Sequence, residues 1–127
     1  MNVIITGATK GIGKSTAEFF LKNGDNIAIC ARHRADLERV KREWQRDFPT
    51  AQILIQVTDM GEQKAVIRFA EAIKTEWESV DILINNAGIF AYGLLQAEPI
   101  NQLHDLLKVN VLGVHYLTRE LLPLLKK

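Results

Sequence analysis

The stretch Thr6-Gly7-Ala8-Thr9-Lys10-Gly11-Ile12-Gly13 decides the fold of this chain of 127 residues. It follows the apolar run Asn2 to Thr6, which predicts a strand, and it opens an amphipathic segment from about Ile12 to Asn23, which predicts a helix. Three glycines therefore fill the turn between a strand and a helix. Such a turn is typical of a phosphate-binding loop, although plain turns between strands and helices also contain glycine.

The rest of the chain repeats the alternation of short apolar runs with longer amphipathic segments. Further strands are predicted at Asn26 to Ala31, Gln52 to Val57 and Asp81 to Asn85. The segments between them are too long for hairpin loops, which favours parallel strands joined by helical crossovers. We therefore predict one α/β domain over residues 1–127, with about four parallel strands and flanking helices. The apolar stripes of its second and third helices are Leu37, Val40, Trp44 and Phe48, and Val66, Phe69, Ala70, Ile73 and Trp77.

The composition excludes several classes of protein. The formal net charge is +1, and the basic residues are interleaved with acidic ones, so we expect no nucleic-acid or membrane-surface partner. Cys30 is the only cysteine, which excludes an intrachain disulfide and a cysteine-based metal cluster, and we predict no metal site. No signal-peptide pattern and no apolar run of about 18 residues is present, so we expect a cytoplasmic protein without a membrane span.

The last predicted helix is apolar over most of its circumference. Its apolar residues are Val111, Val114, Leu117, Leu121, Leu122, Leu124 and Leu125. Such a helix requires a partner on more than one side, and an uncovered strand at the edge of a sheet is also an association site. We expect a homo-oligomer that forms through this helix or through the exposed sheet edge. We also expect Pro123 to kink or end the helix.

The glycines of the turn suit a dinucleotide. Gly7 would allow the tight turn, Gly11 the close approach of a pyrophosphate, and Gly13 the close packing of the helix on the sheet. The amino end of the helix supplies free N–H groups and partial positive charge for that pyrophosphate. A mononucleotide P-loop is disfavoured, because its first glycine would stand where the chain has Ala8.

The end of the second strand discriminates between the two nicotinamide dinucleotides. An enzyme that prefers NAD is expected to place an acidic residue there for the ribose 2′-OH, but Arg32 and Arg34 follow Ala31 instead. A guanidinium group matches the geometry and charge of a 2′-phosphate, which favours NADP over NAD. The alternative is that both arginines are solvent-exposed residues at the start of a helix.

Four motifs in order resemble the N-terminal half of the short-chain dehydrogenase/reductase family. They are the glycine turn, Val57-Thr58-Asp59-Met60, the segment Asn85-Asn86-Ala87-Gly88 after the fourth strand, and Asn110 in a long helix. The resemblance covers essentially the whole chain. It implies a Rossmann-type, doubly wound parallel sheet that is incomplete, because the later strands of the family are absent.

The resemblance implies roles for several polar residues. Asp59 would accept a hydrogen bond from the adenine amino group, unless it caps a helix instead. Asn86, Ala87 and Gly88 would border the cofactor ribose, with Asn86 also bracing neighbouring strands. Asn110 would help to hold a proton-relay water, or else it only satisfies an irregularity in its helix.

Within the glycine turn, Lys10 lies where NADP-dependent members of the family often have a basic residue. The resemblance also places Thr9 and Ile12 among the cofactor-binding residues of the turn.

The family's proton-transfer residues are missing from this chain. Their reaction uses a tyrosine, a lysine four residues later, and a serine after the Asn-Asn-Ala-Gly segment. Neither Tyr92 nor Tyr116 is followed by lysine at that distance, and Ser15 and Ser79 both precede the segment. We therefore expect a truncated NADP-dependent oxidoreductase that is inactive alone, or alternatively a nonenzymatic module that binds a nucleotide or associates with itself.

Overall fold

A computed structural model describes all residues from Met1 to Lys127 and contains a parallel sheet of four strands. The strands are β1 (Asn2–Thr6), β2 (Asn26–Ala31), β3 (Ile53–Val57) and β4 (Ile82–Ile84), and their order in the sheet is β3-β2-β1-β4. All three strand pairs are parallel. The predicted α/β class with an incomplete doubly wound sheet is confirmed.

Helices cover both faces of the sheet. The first three are α1 (Gly11–Lys22), α2 (Arg34–Asp47) and α3 (Gln63–Glu76). After β4 come a short 3-10 turn (Leu95–Ala97), α4 (Gln102–Leu107), a π-helical turn (Lys108–Leu112) and α5 (Gly113–Leu125).

Alternate residues of the central strand β1 face two separate cores. Val3 and Ile5 belong to the core under α1 and α2, whereas Ile4 belongs to the core under α3 and α5. A strand that is buried on both faces requires the continuous apolar run that the sequence shows. The predicted stripes of the second and third helices supply buried residues to these two cores.

The last helix differs from its prediction at one point. Pro123 lies inside α5, which continues to Leu125, so the alternative that proline ends this helix is wrong, whereas the kink stays a prediction. Proline removes one N–H donor near the last turn. The turn is retained because Leu121 and Leu124 are buried against the core and Lys126 N donates a hydrogen bond to Leu122 O.

The outer side of α5 remains partly uncovered. Leu122 of α5 keeps 46% of its surface exposed, and Val111, in the π-helical turn before α5, keeps 53%. These residues are where the sequence predicts association, which stays a prediction. No helix is both long enough and apolar enough to span a bilayer.

Polar side chains join the amino ends of the strands. Asn26 Nδ2 donates to Asn2 Oδ1 at 3.0 Å, and Gln52 N donates to Asn26 Oδ1 at 2.9 Å. Asn2 Nδ2 donates to Ser79 O, so the chain of bonds extends toward β4. These bonds fix one end of the sheet and leave the carboxyl ends of the strands for a binding site.

Candidate cofactor site

The glycine turn adopts backbone conformations that require glycine. Gly7 and Gly11 have φ angles of 67° and 57°, in the left-handed region that other residues rarely occupy. A Cβ atom added at Gly7 would lie 3.0 Å from Ala87 Cα, so this turn also touches the segment after β4. A Cβ at Gly11 would meet no atom within 4 Å, so Gly11 faces open space where a ligand can approach the backbone.

Gly13 lies where α1 crosses the glycine turn. A Cβ atom there would lie 2.5 Å from Asn86 Nδ2 and closer still to Gly7 O. Only a hydrogen atom fits this space, so Gly13 lets α1 pack closely against the turns that follow β1 and β4.

Thr6 and Asn86 connect the turns that follow β1 and β4. The hydroxyl oxygen of Thr6 accepts hydrogen bonds from Asn86 N at 3.0 Å and Ala87 N at 2.9 Å. In return, Asn86 Nδ2 donates to the carbonyl oxygens of Thr6 and Gly7, both at 3.0 Å. The expected bracing by Asn86 is present, whereas the sequence analysis missed Thr6, whose only signal is a hydroxyl at the end of an apolar strand.

A cleft of about 630 Å³ lies at the carboxyl ends of the strands. Eight of the predicted site residues line it: Gly7, Thr9, Lys10, Arg32, Asp59, Asn86, Ala87 and Gly88. The fold therefore brings together four separate parts of the sequence. Residues that were not predicted also line it, including Cys30, His33, Asp36, Thr58, Met60, Gly61, Glu62, Ile89, Asp105, Lys108 and Val109.

Five predicted residues do not line the cleft, namely Gly11, Ile12, Gly13, Arg34 and Asn110. Ile12 is 81% exposed in the first turn of α1. Arg34 begins α2 and lies 3.9 Å from the carboxylate of Glu38, so it has the surroundings of an exposed helix-start residue. The structure thus separates the two arginines that the sequence analysis grouped together.

Arg32 is a cleft residue whose positive charge is available to bind an anion, as are the charges of Lys10 and Lys108. Its guanidinium forms no salt bridge within 4.0 Å, unlike that of Arg34. Asp36 lines the same cleft, but its carboxylate lies 3.7 Å from Arg39. The end of β2 therefore presents a guanidinium group that has no carboxylate within 4.0 Å.

Asp59 forms a tight turn after β3. Its Oδ1 accepts a hydrogen bond from Gly61 N at 2.8 Å, while Oδ2 has no protein partner. The N-cap residue of α3 is Glu62, so the alternative that Asp59 caps this helix is wrong. One carboxylate oxygen is left free to accept a hydrogen bond at the cleft.

Asn110 uses both polar atoms of its side chain to hold the loop after Gly88. Its Oδ1 accepts from Ile89 N at 2.9 Å, and its Nδ2 donates to Ile89 O at 2.8 Å. Asn110 lies within the π-helical turn, so it is found at a helix irregularity, but its side chain bonds to the loop and not to the helix. The side chain of Asn110 therefore fixes the loop after Gly88, and its role in holding a proton-relay water stays a prediction.

Cys30 is an unreactive residue of the cleft lining. Its side chain is buried, and burial raises the pKa of the thiol to about 12. The Sγ atom lies 3.9 Å from Met60 Sδ. The thiol is therefore neutral near pH 7 and packs as a small apolar group.

The fold and the cleft together define a dinucleotide-binding domain of the Rossmann type. Its glycine turn opens a helix, and the cleft lies outside the carboxyl ends of parallel strands, as in other domains of this class. The family model described as short chain dehydrogenase matches residues 1–127. The chain therefore belongs to the short-chain dehydrogenase family, whose members are oxidoreductases.

Curated relatives match almost the whole chain. It is 34% identical to the chlorophyll(ide) b reductase NOL of Oryza sativa subsp. japonica, over 98% of this chain and 37% of that protein. It is 31% identical to the NADP-dependent 3-hydroxy acid dehydrogenase YdfG of Salmonella typhi, over 97% of this chain and 48% of that protein. The chain thus spans less than half the length of these relatives.

Solved structures with bound cofactor share the fold. An alcohol dehydrogenase of the archaeon Thermococcus sibiricus, complexed with 5-hydroxy-NADP, matches with a TM-score of 0.93 and 26% identity, over 98% of this chain and 53% of that one. An L-sorbose reductase of Gluconobacter frateurii, complexed with NADPH and L-sorbose, also matches with a TM-score of 0.93 and 26% identity, over 98% and 47%. Both of these neighbours were therefore solved with an NADP-type dinucleotide bound.

Proposed function

We propose that this domain binds NADP(H) and that the whole protein transfers a hydride between the nicotinamide and a carbonyl or alcohol substrate. The observation that carries the proposal is the unpaired guanidinium of Arg32 in the cleft, at the strand end where an NAD-binding site would have an acidic residue. The NADP(H) complexes among the structural neighbours support the same cofactor.

The residues of the cleft fit the parts of the dinucleotide. No side chain caps the amino end of α1, so its first N–H groups and the open side of Gly11 are free for the pyrophosphate. Arg32, together with Lys10 of the same cleft lining, would hold the 2′-phosphate. The free Oδ2 of Asp59 would accept the adenine amino group, and the segment Asn86 to Gly88 would border the ribose.

The cofactor supplies the hydride, whereas proton transfer needs groups that residues 1–127 do not contain. No Tyr-x-x-x-Lys sequence is present, and no serine follows Gly88. We therefore expect this chain alone to bind cofactor without catalysing the reaction. Asn110, whose side chain fixes Ile89, would help to hold a proton-relay water next to this loop.

The exposed apolar residues near α5 favour self-association as a second property. Leu122 and Val111 face solvent, and β4 is an edge strand with one free side. We propose that copies of the chain associate through one of these surfaces. Light scattering during size exclusion is expected to show a mass above 14.3 kDa, and a lone monomer at high concentration would contradict this. The cytoplasmic location stays a prediction.

The test of the cofactor compares NADPH and NADH in calorimetric titrations of the chain, of Arg32→Ala and of Arg34→Ala. Arg34→Ala is the matched control, because it removes the same charge two residues away and outside the cleft. Hydrogen bonds to charged groups contribute about 1.5–3 kcal/mol. Arg32→Ala is therefore expected to weaken NADPH binding by roughly 10- to 150-fold and to leave NADH binding nearly unchanged.

Two results would contradict the assignment. If the chain binds NADH as tightly as NADPH, the 2′-phosphate is not recognised. If Arg34→Ala weakens NADPH binding as much as Arg32→Ala does, general positive charge and not the cleft arginine accounts for the preference.

A further inference from the structure

Gly113 makes an unusually close backbone contact with the loop that follows β3. It is buried at the start of α5, and a Cβ atom added there would lie 3.2 Å from the carbonyl carbon of Met60 and closer still to its oxygen. It would also lie 3.4 Å from Lys108 O. Because these neighbours are backbone atoms, no rotation of a side chain can make room for the Cβ atom.

The contacted loop, Thr58 to Glu62, is the part of the cleft that carries Asp59. A second glycine brings the same two segments together, because a Cβ atom at Gly61 would lie 3.1 Å from Val109 Cγ2. Lys108 and Val109 line the same cleft as this loop. Gly113 and Gly61 therefore allow the loop and the helical segment to touch. This contact determines the distance between the two parts of the cleft lining that they form.

We propose that Gly113 is a positioning residue for the adenine end of the cleft, an inference that rests on the proposed NADP(H) site. Its missing side chain lets α5 hold the Met60 backbone, which places the preceding carboxylate of Asp59 against the wall formed by Val109. An alanine at this position would push the loop and the helical segment apart by about 1 Å, a displacement large enough to impair a binding site.

The contact between Gly113 and Met60 does more than fill the core, because it fixes the backbone next to Asp59. Met60 contributes its side chain to the core, but Gly113 touches its backbone, which continues directly into the Asp59 turn. A shift of this backbone changes the direction of Asp59 Oδ2, the oxygen that has no protein partner.

The experiment measures NADPH and NADH binding to Gly113→Ala. Both dinucleotides carry adenine, so both are expected to bind about five- to tenfold more weakly, because the hydrogen bond to the Asp59 carboxylate is weakened by displacement but not removed. The ratio of the two affinities should stay as in the unmodified chain, whereas Arg32→Ala changes that ratio. Val40→Ala is the control, because Val40 is fully buried in the opposite core and its truncation lowers stability without touching the cleft.

A spectroscopic readout follows the loop directly. In the Gly113→Ala variant, the Gly61 amide should shift in the ¹H–¹⁵N spectrum and exchange faster with solvent, because its hydrogen bond to Asp59 Oδ1 is disturbed. In Val40→Ala, the same amide should be unchanged. If Gly113→Ala does not fold, Gly61→Ala is the second variant, because its added methyl group enters the same contact from the loop side. It is expected to weaken the binding of NADPH and NADH by a smaller factor.

The possible outcomes separate the two proposals. Unchanged affinities in a folded Gly113→Ala, or equal losses in Val40→Ala, overturn the positioning role while leaving the NADP(H) site intact. Loss of NADPH binding alone also overturns it, because the 2′-phosphate end would then be affected. An unmodified chain that binds neither dinucleotide overturns the proposed function and this inference with it.

Discussion

Replacing Thr6 by valine tests whether one hydroxyl organises the cleft. Valine keeps the shape of threonine but removes the oxygen that accepts hydrogen bonds from Asn86 N and Ala87 N. Thr6 is 1% exposed, so water does not readily replace that oxygen. The variant changes hydrogen bonding with almost no change in packing.

The loss can be worked out bond by bond. Asn86 N keeps a second acceptor, the carbonyl oxygen of Ile84 at 3.1 Å, whereas Ala87 N loses its hydrogen-bond partner. An unsatisfied buried donor costs about 1–3 kcal/mol, and we take the lower half of that range because this bond is only partly buried. For a chain of this size, 1–2 kcal/mol corresponds to a decrease in Tm of roughly 4–8 °C.

Urea denaturation followed by circular dichroism measures the free energy of unfolding, with Thr6→Ser as the matched control. Serine keeps the hydroxyl and loses one methyl group, so it should retain the two hydrogen bonds. NADPH binding should weaken in Thr6→Val more than in Thr6→Ser, because the segment from Asn86 to Gly88 lines the cleft. The reasoning is refuted if Thr6→Val is as stable as the unmodified chain, or if NADPH binding weakens as much in Thr6→Ser as in Thr6→Val.

Two further predictions concern the same end of the sheet. Burial raises the pKa of the Cys30 thiol from 9.0 to about 12, so between these pH values the unfolded chain loses a proton that the folded chain keeps. The free energy of unfolding should therefore fall as pH rises through this window, by up to about 1.4 kcal/mol per pH unit, and Cys30→Ala should lack this component in denaturation measured from pH 8 to 11. Asn86→Asp replaces the N–H donor that faces the carbonyl oxygens of Thr6 and Gly7 with a carboxylate oxygen. This variant should lower the free energy of unfolding by at least about 2 kcal/mol, and by more than Asn86→Ala does. Urea denaturation at pH 7 measures both losses.

Each of these predictions has an outcome that contradicts it. Parallel stability curves for the unmodified chain and Cys30→Ala above pH 9 would mean that the thiol ionises as easily in the folded chain as in the unfolded one. For Asn86, equal stability of the Asp and Ala variants would show that no repulsion arises between the carboxylate and the two carbonyl groups of Thr6 and Gly7.

Much of the fold could be predicted because its elements follow local patterns. The apolar run Asn2 to Thr6 is the strand β1 as predicted, and Asn26 to Ala31 is β2. The fourth strand is shorter than predicted, with three residues from Ile82 to Ile84. Asp81 does not belong to β4, although Asp81 N donates a hydrogen bond to Asn2 O. Because β4 pairs with a strand on one side alone, fewer residues of the apolar run are held by strand pairing.

The site could be predicted in part, because some residues carry their role in a motif. Gly7, Asp59 and Asn86 were found from sequence and line the cleft. Lys108 and Val109 line it too, but they lie on a helical segment about 50 residues after Asp59, and no local pattern indicates which side of that segment faces the loop. Their place depends on how α5 packs against α3, with Leu117 and Leu121 buried between them.

The sequence by itself determined the class of fold, the glycine turn and the presence of arginine at the end of the second strand, because strand and helix periodicities and the φ angles of glycine are local properties of the chain. Only the tertiary structure decided that Arg32 lines the cleft while Arg34 pairs with Glu38, that Thr6 joins two turns, and that Gly113 touches Met60. Each of these facts depends on the distance between atoms of segments that the sheet and its two cores bring together, and spacing along the chain does not determine such distances.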